Sequence, residues 1–171
     1  MPLILRKCNF NGYSSHNFRY GYEGDIVTCP DWNPIPKCGN GLHGLLEGNG
    51  NWILLEGIDW LVIEAETEDI VNIDEHKCKF RTGKILFRGS RNELKNSEFK
   101  TKLNLNEDAA YQWTKFIGNH DLMINKIESS YYAYLWALTF GDRDIMKPKI
   151  TDPQYINLWN YQFPYDKITL P

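Results

Sequence analysis

The chain has 171 residues, of which 42% are hydrophobic and 24% charged, and its formal net charge at pH 7 is -3. This length and balance predict one soluble globular domain with a substantial core. The acidic net charge and the lack of a Lys/Arg run do not favour nucleic-acid binding, and no apolar segment has the length of a membrane span.

The start of the chain favours a cytoplasmic location. Residues 1–7 place their charges after a very short apolar run, the reverse of the order in a signal peptide. We therefore expect the protein to remain in a reducing compartment. The four cysteines are then expected to be free thiols rather than two disulfides: Cys8, Cys29, Cys38 and Cys78.

The first half of the chain, residues 1–90, predicts a small, mostly antiparallel sheet. Residues 3–5 and 25–29 are short apolar segments typical of strands, and aromatic residues at every second position predict another strand over 17–22. Residues 60–65 are nearly all apolar and predict a central strand. Three further segments and a Thr82-Gly83 turn complete a predicted antiparallel meander over 60–88: 69–73, 77–81 and 84–88.

The second half, residues 91–171, predicts two or three helices packed on that sheet. Asn106 is a suitable N-cap for a helix that ends near Gly118, and a broad apolar stripe predicts a longer helix from Asp121 to Gly141. Asp152-Pro153 is a start signal for a third helix. Residues 90–102 are polar enough to form a long connection. The fold class is therefore α+β, with residues 1–171 in a single domain.

The sequence feature richest in chemistry is the segment 38–44, Cys-Gly-Asn-Gly-Leu-His-Gly. Its glycines allow sharp turns and the close approach of another group. Cys38 and His43 supply a thiol and an imidazole within this segment. Loops that are long and carry reactive groups are more often functional than the elements they connect. We therefore place the candidate site here.

Residues 5 to about 94 resemble a family of small bacterial and phage proteins of uncharacterised function. The pieces that carry the resemblance are Arg6-Lys7-Cys8, Ser15-His16, Phe18-Arg19-Tyr20, Pro30-Asp31-Trp32, the 38–44 segment, Trp60-Leu61-Val62 and Lys79-Phe80. The family has no established activity, so the resemblance supports a site without implying its chemistry.

The chain is also similar to ADP-ribosyltransferase-like domains, several of which place a Gly-x-Gly-aromatic segment after a first strand that ends in a basic residue. This similarity implies that Arg6 ends the first strand and that His43 stands where those proteins place an aromatic ring against nicotinamide. Neighbouring glycine amides could approach phosphates. No carboxylate matches the catalytic Glu by motif; Glu64 and Glu66 are candidates because they lie at the end of the strongest strand.

Several roles remain open for the candidate residues. The ligand-binding set is Arg6, His16, Asp31, Trp32, Gly39, Asn40, Gly41 and His43, and the catalytic candidates are His43, Cys38 and Glu64. A Cys38 nucleophile activated by an imidazole is chemically sensible, and so is a buried, inert thiol. Cys8, His16, Cys38 and His43 have the ligand types of structural zinc, but their spacing does not favour it, and we predict no metal site.

Two hypotheses of function follow. The first is a domain that binds a nucleotide-like molecule of the NAD or ADP-ribose type at the Cys38–His43 loop, with or without ADP-ribosyl chemistry. The second is a non-enzymatic interaction protein, encoded by a phage or virus, that binds a host or virion protein through its aromatic C-terminal half, since Trp and Tyr dominate interface hot spots. Neither hypothesis involves a membrane or nucleic acid, and the sequence does not decide whether the protein is an enzyme.

Overall fold

A computed structural model describes residues 1–9, 12–14 and 16–170. Ser15, which was quoted for the resemblance, lies outside the described residues. The N-terminal half forms a seven-stranded sheet in which every pair of neighbouring strands is antiparallel, as predicted. Its strands are β1 Leu3–Cys8, β2 Ile26–Thr28, β3 Leu42–Leu46, β4 Asp59–Glu64, β5 Ile70–Asn72, β6 Cys78–Phe80 and β7 Thr82–Gly89.

The strand order is β2-β7-β4-β1-β3-β6-β5, which contradicts the predicted meander over residues 60–88. β4 pairs with β7 and β1, whereas β5 pairs with β6. The predicted Thr82-Gly83 turn is also wrong, because both residues begin β7. The alternation of apolar residues predicted the strands but contains no information about which strands become neighbours.

The sheet is strongly curled. β6 and β7 are separated by Arg81 alone, although β3, β1 and β4 stand between them in the sheet order. A single intervening residue spans at most about 7 Å, so the sheet must bend round until these two strands meet. A bulge between Val62 and Ile63 of β4 adds local bending.

Each face of the sheet has its own apolar core. The inner face of the curl encloses side chains from β1, β2, β3, β4, β6 and β7, among them Ile4, Leu61 and Phe80, all fully buried. The outer face, with Leu5 and Val62, packs against the helical half. On β1, Arg6 lies between Ile4 and Cys8 in the alternation, so it belongs to the inner face.

The second half of the chain is helical, as expected, but the described residues form seven α-helices rather than two or three. They are α1 Arg91–Asn96, α2 Phe99–Lys102, α3 Glu107–Phe116, α4 His120–Met123, α5 Ser130–Phe140, α6 Arg143–Met146 and α7 Pro153–Gln162. Short 3-10 turns follow β3, β4, α4 and α6: Trp52–Leu54, Thr67–Asp69, Ile124–Lys126 and Lys147–Lys149.

The predictions for individual helices had different outcomes. α3 and α7 begin at the predicted caps, Asn106 and Asp152. The helix predicted from Asp121 to Gly141 is broken into α4, a 3-10 turn and α5. The connection predicted over residues 90–102 contains α1 and α2, because Ser90 and Glu93 form a capping box and Leu94 and Phe99 are buried in the core.

The strand predicted over residues 17–22 does not form. This segment belongs to a loop, described over residues 12–14 and 16–22, that contains one isolated bridge, between Tyr13 and Arg19. Ser14 Oγ accepts hydrogen bonds from the amides of His16 (3.2 Å) and Phe18 (3.0 Å). The local hydrogen bonds of Ser14 replace the ladder that the aromatic alternation predicted.

Candidate functional site

A cleft of about 540 Å³ lies at one end of the curled sheet, between the loop 12–22 and the loop 29–41. Seven of the eight residues predicted to bind a ligand line it: Arg6, His16, Asp31, Gly39, Asn40, Gly41 and His43. The volume is within the usual range for a site that binds a small molecule. The curl thus brings together residues that are up to 37 positions apart in the sequence.

Arg6 is the basic residue at the base of this cleft. Its Nη1 donates a hydrogen bond to the backbone oxygen of His43, and its guanidinium lies 4.4 Å from the ring centroid of Tyr20. Its Nε is buried and has no hydrogen-bond partner in the part of the chain that the structure describes. No carboxylate among the described residues lies within 4.0 Å of the Arg6 guanidinium. Arg6 therefore brings an uncompensated positive charge to the cleft.

The loop that forms the opposite wall is held by side-chain hydrogen bonds. The Asp31 carboxylate accepts from Asn40 Nδ2 (2.8 Å) and from the Cys29 thiol (3.2 Å). Lys79, almost fully buried, donates to the Gly39 carbonyl at 3.2 Å. Gly39 and Asn40 both have positive φ, at 92° and 50°. This backbone conformation explains why glycine and asparagine occupy the tip of the loop.

His43 lies at the start of β3, next to Lys79 of β6 in the register of the sheet. Burial, and then the charges of Lys77, Arg6 and Lys79, lower the pKa of His43 to about 4. Its Nε2 accepts a hydrogen bond from the Gly39 amide at 3.4 Å. Because Nε2 accepts, the neutral ring carries its hydrogen on Nδ1. His43 is therefore a neutral imidazole at pH 7, available as a donor.

Two aromatic side chains of the cleft were not assigned to the site from the sequence. Phe18 and Tyr20 line it and pack edge to face, with ring centroids 5.1 Å apart. Tyr20 is buried beneath Arg6, whereas Phe18 is half-buried. Their period-two alternation predicted a strand instead. The signal that could have found them is the turn-rich sequence around them, which is typical of a loop.

Other predicted residues lie elsewhere. Trp32 does not line the cleft, but its ring lies 5.6 Å from Lys79 Nζ, beside the same loop. Cys38 is exposed, 3.2 Å from Lys77 Nζ. Glu64 is at the far end of β4, paired with Leu3 and Lys84, outside the cleft lining. Among the described residues, the only carboxylate that lines the cleft is Asp31, which is already bonded to Asn40 and Cys29.

The cysteines are free thiols, as predicted. Cys8, Cys29 and Cys78 are buried, and burial raises the pKa of Cys8 to about 11 and that of Cys78 to about 12. Such thiols are poor nucleophiles at pH 7. Within residues 1–9, 12–14 and 16–170, no three His, Cys, Asp or Glu side chains are grouped closely enough to hold a metal ion.

No protein-family model, no curated protein and no solved structure matches this chain. The resemblances described above therefore remain predictions, and the case for function depends on the geometry of the cleft. None of the helices in the described part of the chain is both long and apolar enough to cross a membrane. The interaction hypothesis also remains a prediction; Tyr161 and Tyr165 of the helical half are largely exposed, at 86% and 102%.

Proposed function

We propose that the cleft binds a nucleotide-like ligand of the NAD or ADP-ribose type. The observation that carries this proposal is the position of Arg6, an uncompensated guanidinium at the base of a cleft large enough for a small molecule. Its Nη2 and Nε have no protein partner among the described residues. Guanidinium groups bind phosphate with strong, charge-assisted hydrogen bonds.

The remaining walls suit the other parts of such a ligand. Phe18 offers a half-buried ring for stacking a base, a contact worth about 1–3 kcal/mol in other proteins. The backbone amides of Asn40 and Gly41 have no partner in the described chain, and successive amides in a positive-φ turn favour anions. His43 adds a neutral imidazole to the same part of the cleft wall.

The proposal covers binding and not ADP-ribosyl transfer. The resemblance implied a catalytic Glu for such transfer. Here Glu64 lies outside the cleft, and Asp31 is held by Asn40 and Cys29. We therefore assign the cleft a recognition role.

Isothermal titration of the purified protein with ADP-ribose, NAD and adenosine tests this proposal. We expect ADP-ribose and NAD to bind and adenosine, which has no phosphate, to bind at least tenfold more weakly, roughly the contribution of one charge-assisted pair. Arg6→Gln should lose a similar factor for ADP-ribose, and Phe18→Ala should weaken all three ligands.

Arg81→Gln is the matched control, because Arg81 is exposed, outside the cleft, and its replacement changes the net charge by the same amount. Near-UV circular dichroism verifies that each variant keeps its tertiary packing. Failure of wild-type protein to bind ADP-ribose or NAD, or equal binding by Arg6→Gln, would contradict the proposal.

A further inference from the structure

A second, much smaller pocket lies beside the cleft, on the outer face of the sheet. Its volume is about 70 Å³, and it is lined by residues of β1 and β3, by residues 54–56 and by Lys77. One water needs roughly 10–15 Å³ of such space, so the pocket holds a few waters or one small ion and is too small for a nucleoside. Arg6 and His43 border both the pocket and the cleft.

Three of the nine residues that line this pocket are Arg or Lys, and three are leucines. Lys7 lies in it with its Nζ 4.6 Å from the ring centroid of Trp60, and burial lowers the pKa of Lys7. Lys77 donates to the Cys38 thiol. Neither lysine has a carboxylate within 4.0 Å in the described parts of the chain. Glu56 is the one carboxylate that the described residues contribute to the lining, and it is exposed.

His43 completes the set of donors. Its Nε2 is occupied by the Gly39 amide, so its other nitrogen, Nδ1, carries the hydrogen. Two lysines and a histidine with an N–H donor therefore line a space that admits one small ion. Since neither lysine has a carboxylate partner in the described chain, a bound anion would offset their positive charge.

We propose that this pocket binds a small divalent oxyanion of the phosphate or sulfate class through Lys7, Lys77 and His43. The size of the pocket excludes a nucleoside, and its two lysines favour an anion over a cation. The site does not depend on the nucleotide proposed for the cleft, because its two lysines line the pocket and not the cleft.

Binding of the anion is coupled to the protonation of His43. The charged groups that face His43 come from β1, β3, β6 and the neighbouring loops: Arg6, Lys7, His16, Glu56, Lys77 and Lys79. The cations in this set disfavour a charged imidazole, whereas a bound dianion favours it. The pKa of His43 therefore rises when the anion binds, and the anion binds more tightly as the pH falls.

Titration of the wild-type protein with sodium sulfate, followed by the NMR signals of the His43 ring, tests the proposal. Sulfate is the probe because its charge is constant over the pH range used, and ionic strength is matched with chloride. We expect saturable shifts, a higher pKa of His43 at saturation, and binding weakened by roughly tenfold in Lys7→Gln and in Lys77→Gln, each of which removes one charge-assisted contact.

Lys84→Gln is the control with the same change of charge, since Lys84 is exposed on β7 and lies outside the pocket. It should bind sulfate as the wild type does, and so should Phe18→Ala, which alters only the cleft. Inorganic phosphate should compete with sulfate for the pocket, whereas ADP-ribose, which is too large to enter it, should not displace sulfate. Non-saturable shifts, displacement of sulfate by ADP-ribose, or equal affinity in both lysine variants and the wild type would overturn the site.

Discussion

The imidazole of His120 lies between two carboxylates in the helical half. Its Nδ1 is 3.0 Å from Asp121 Oδ1, and its Nε2 is 2.6 Å from Asp142 Oδ2, which also accepts from Trp136 Nε1 at 2.9 Å. The hydrogen bond to Asp121, and then that to Asp142, raise the pKa of His120. The protonated ring thus connects the start of α4 to the residue that precedes α6.

This arrangement makes part of the stability depend on pH. A pKa raised in the folded state means that the folded protein holds the proton more tightly, so the contribution is complete below the unfolded value of about 6.5 and is lost as the pH rises through the folded value. We expect His120→Gln to lower the free energy of unfolding by up to about 1 kcal/mol more at about pH 5.5 than at about pH 8.5, since the side chain is 39% exposed.

Urea unfolding of both proteins at the two pH values measures this difference. His76→Gln is the control, because His76 and its partner Glu75 are both exposed, at 51% and 83%, and their pair should contribute little. An equal loss of stability for His120→Gln at both pH values would show that the ring contributes by packing on Trp136 and not by charge.

Helix boundaries in this protein depend on side chains that bind free backbone groups. Asn106 Oδ1 accepts a hydrogen bond from the backbone amide of Ala109 at 2.9 Å. The backbone amide of Asn106 donates to Asn49 Oδ1 at 2.9 Å. The break between α4 and α5 is held by a longer-range contact: Glu107 Oε1 accepts from the amides of Glu128 and Ser129, both at 2.6 Å. The cap at Asn106 can thus be recognised from the adjacent sequence, whereas the contact of Glu107 with Glu128 and Ser129 cannot.

Removing the N-cap of α3 should lower the free energy of unfolding by a predictable amount. Asn106→Ala leaves the Ala109 amide without its partner, and we expect the free energy of unfolding to fall by about 1 kcal/mol. Chemical denaturation measures the loss. Asn92→Ala is the control, because Asn92 is exposed within α1 and alanine has the higher helix propensity. A loss no larger than that of the control would show that Asn106 does not act as a cap.

Two glycines of the sheet allow close packing between neighbouring strands. Gly44 of β3 faces β1, and a Cβ atom added to it would overlap Ile4 Cγ2 and lie 3.0 Å from the Leu5 carbonyl oxygen. Gly83 of β7 has a similar relation to β4, because a Cβ atom at this position would lie 2.5 Å from Ile63 Cγ2. Glycine at these two positions lets side chains of the neighbouring strand fill the inner core.

Gly44→Ala should therefore destabilise the protein by overpacking, by about 1–3 kcal/mol. Ile4→Ala creates space at the same point, so the double variant should lose less stability than the sum of the two single losses. Thermal or chemical denaturation of the four proteins measures this coupling. Additive losses would show that Gly44 and Ile4 do not compete for the same space.

Much of the secondary structure follows from the sequence alone. The apolar segments of β1, β2 and β4 and the caps of α3 and α7 were predicted because each depends on residues adjacent in the chain. The α+β class follows in the same way, whereas the free thiols were predicted from the expected reducing compartment. The Gly-rich segment at residues 38–44 also coincides with a cleft, since residues 39–43 all line it, and its role as a site stays a prediction.

The tertiary structure alone decided the order of the strands and the composition of the cleft. Alternating apolar residues fit any antiparallel neighbour equally well, so a meander and the observed curled order are equivalent in sequence. Contacts between residues distant in the chain, such as Ile4 with Gly44, favour the observed strand order over a meander. It places Arg6 against Tyr20 and separates Glu64 from both, because proximity in space is set by the packing of the whole sheet.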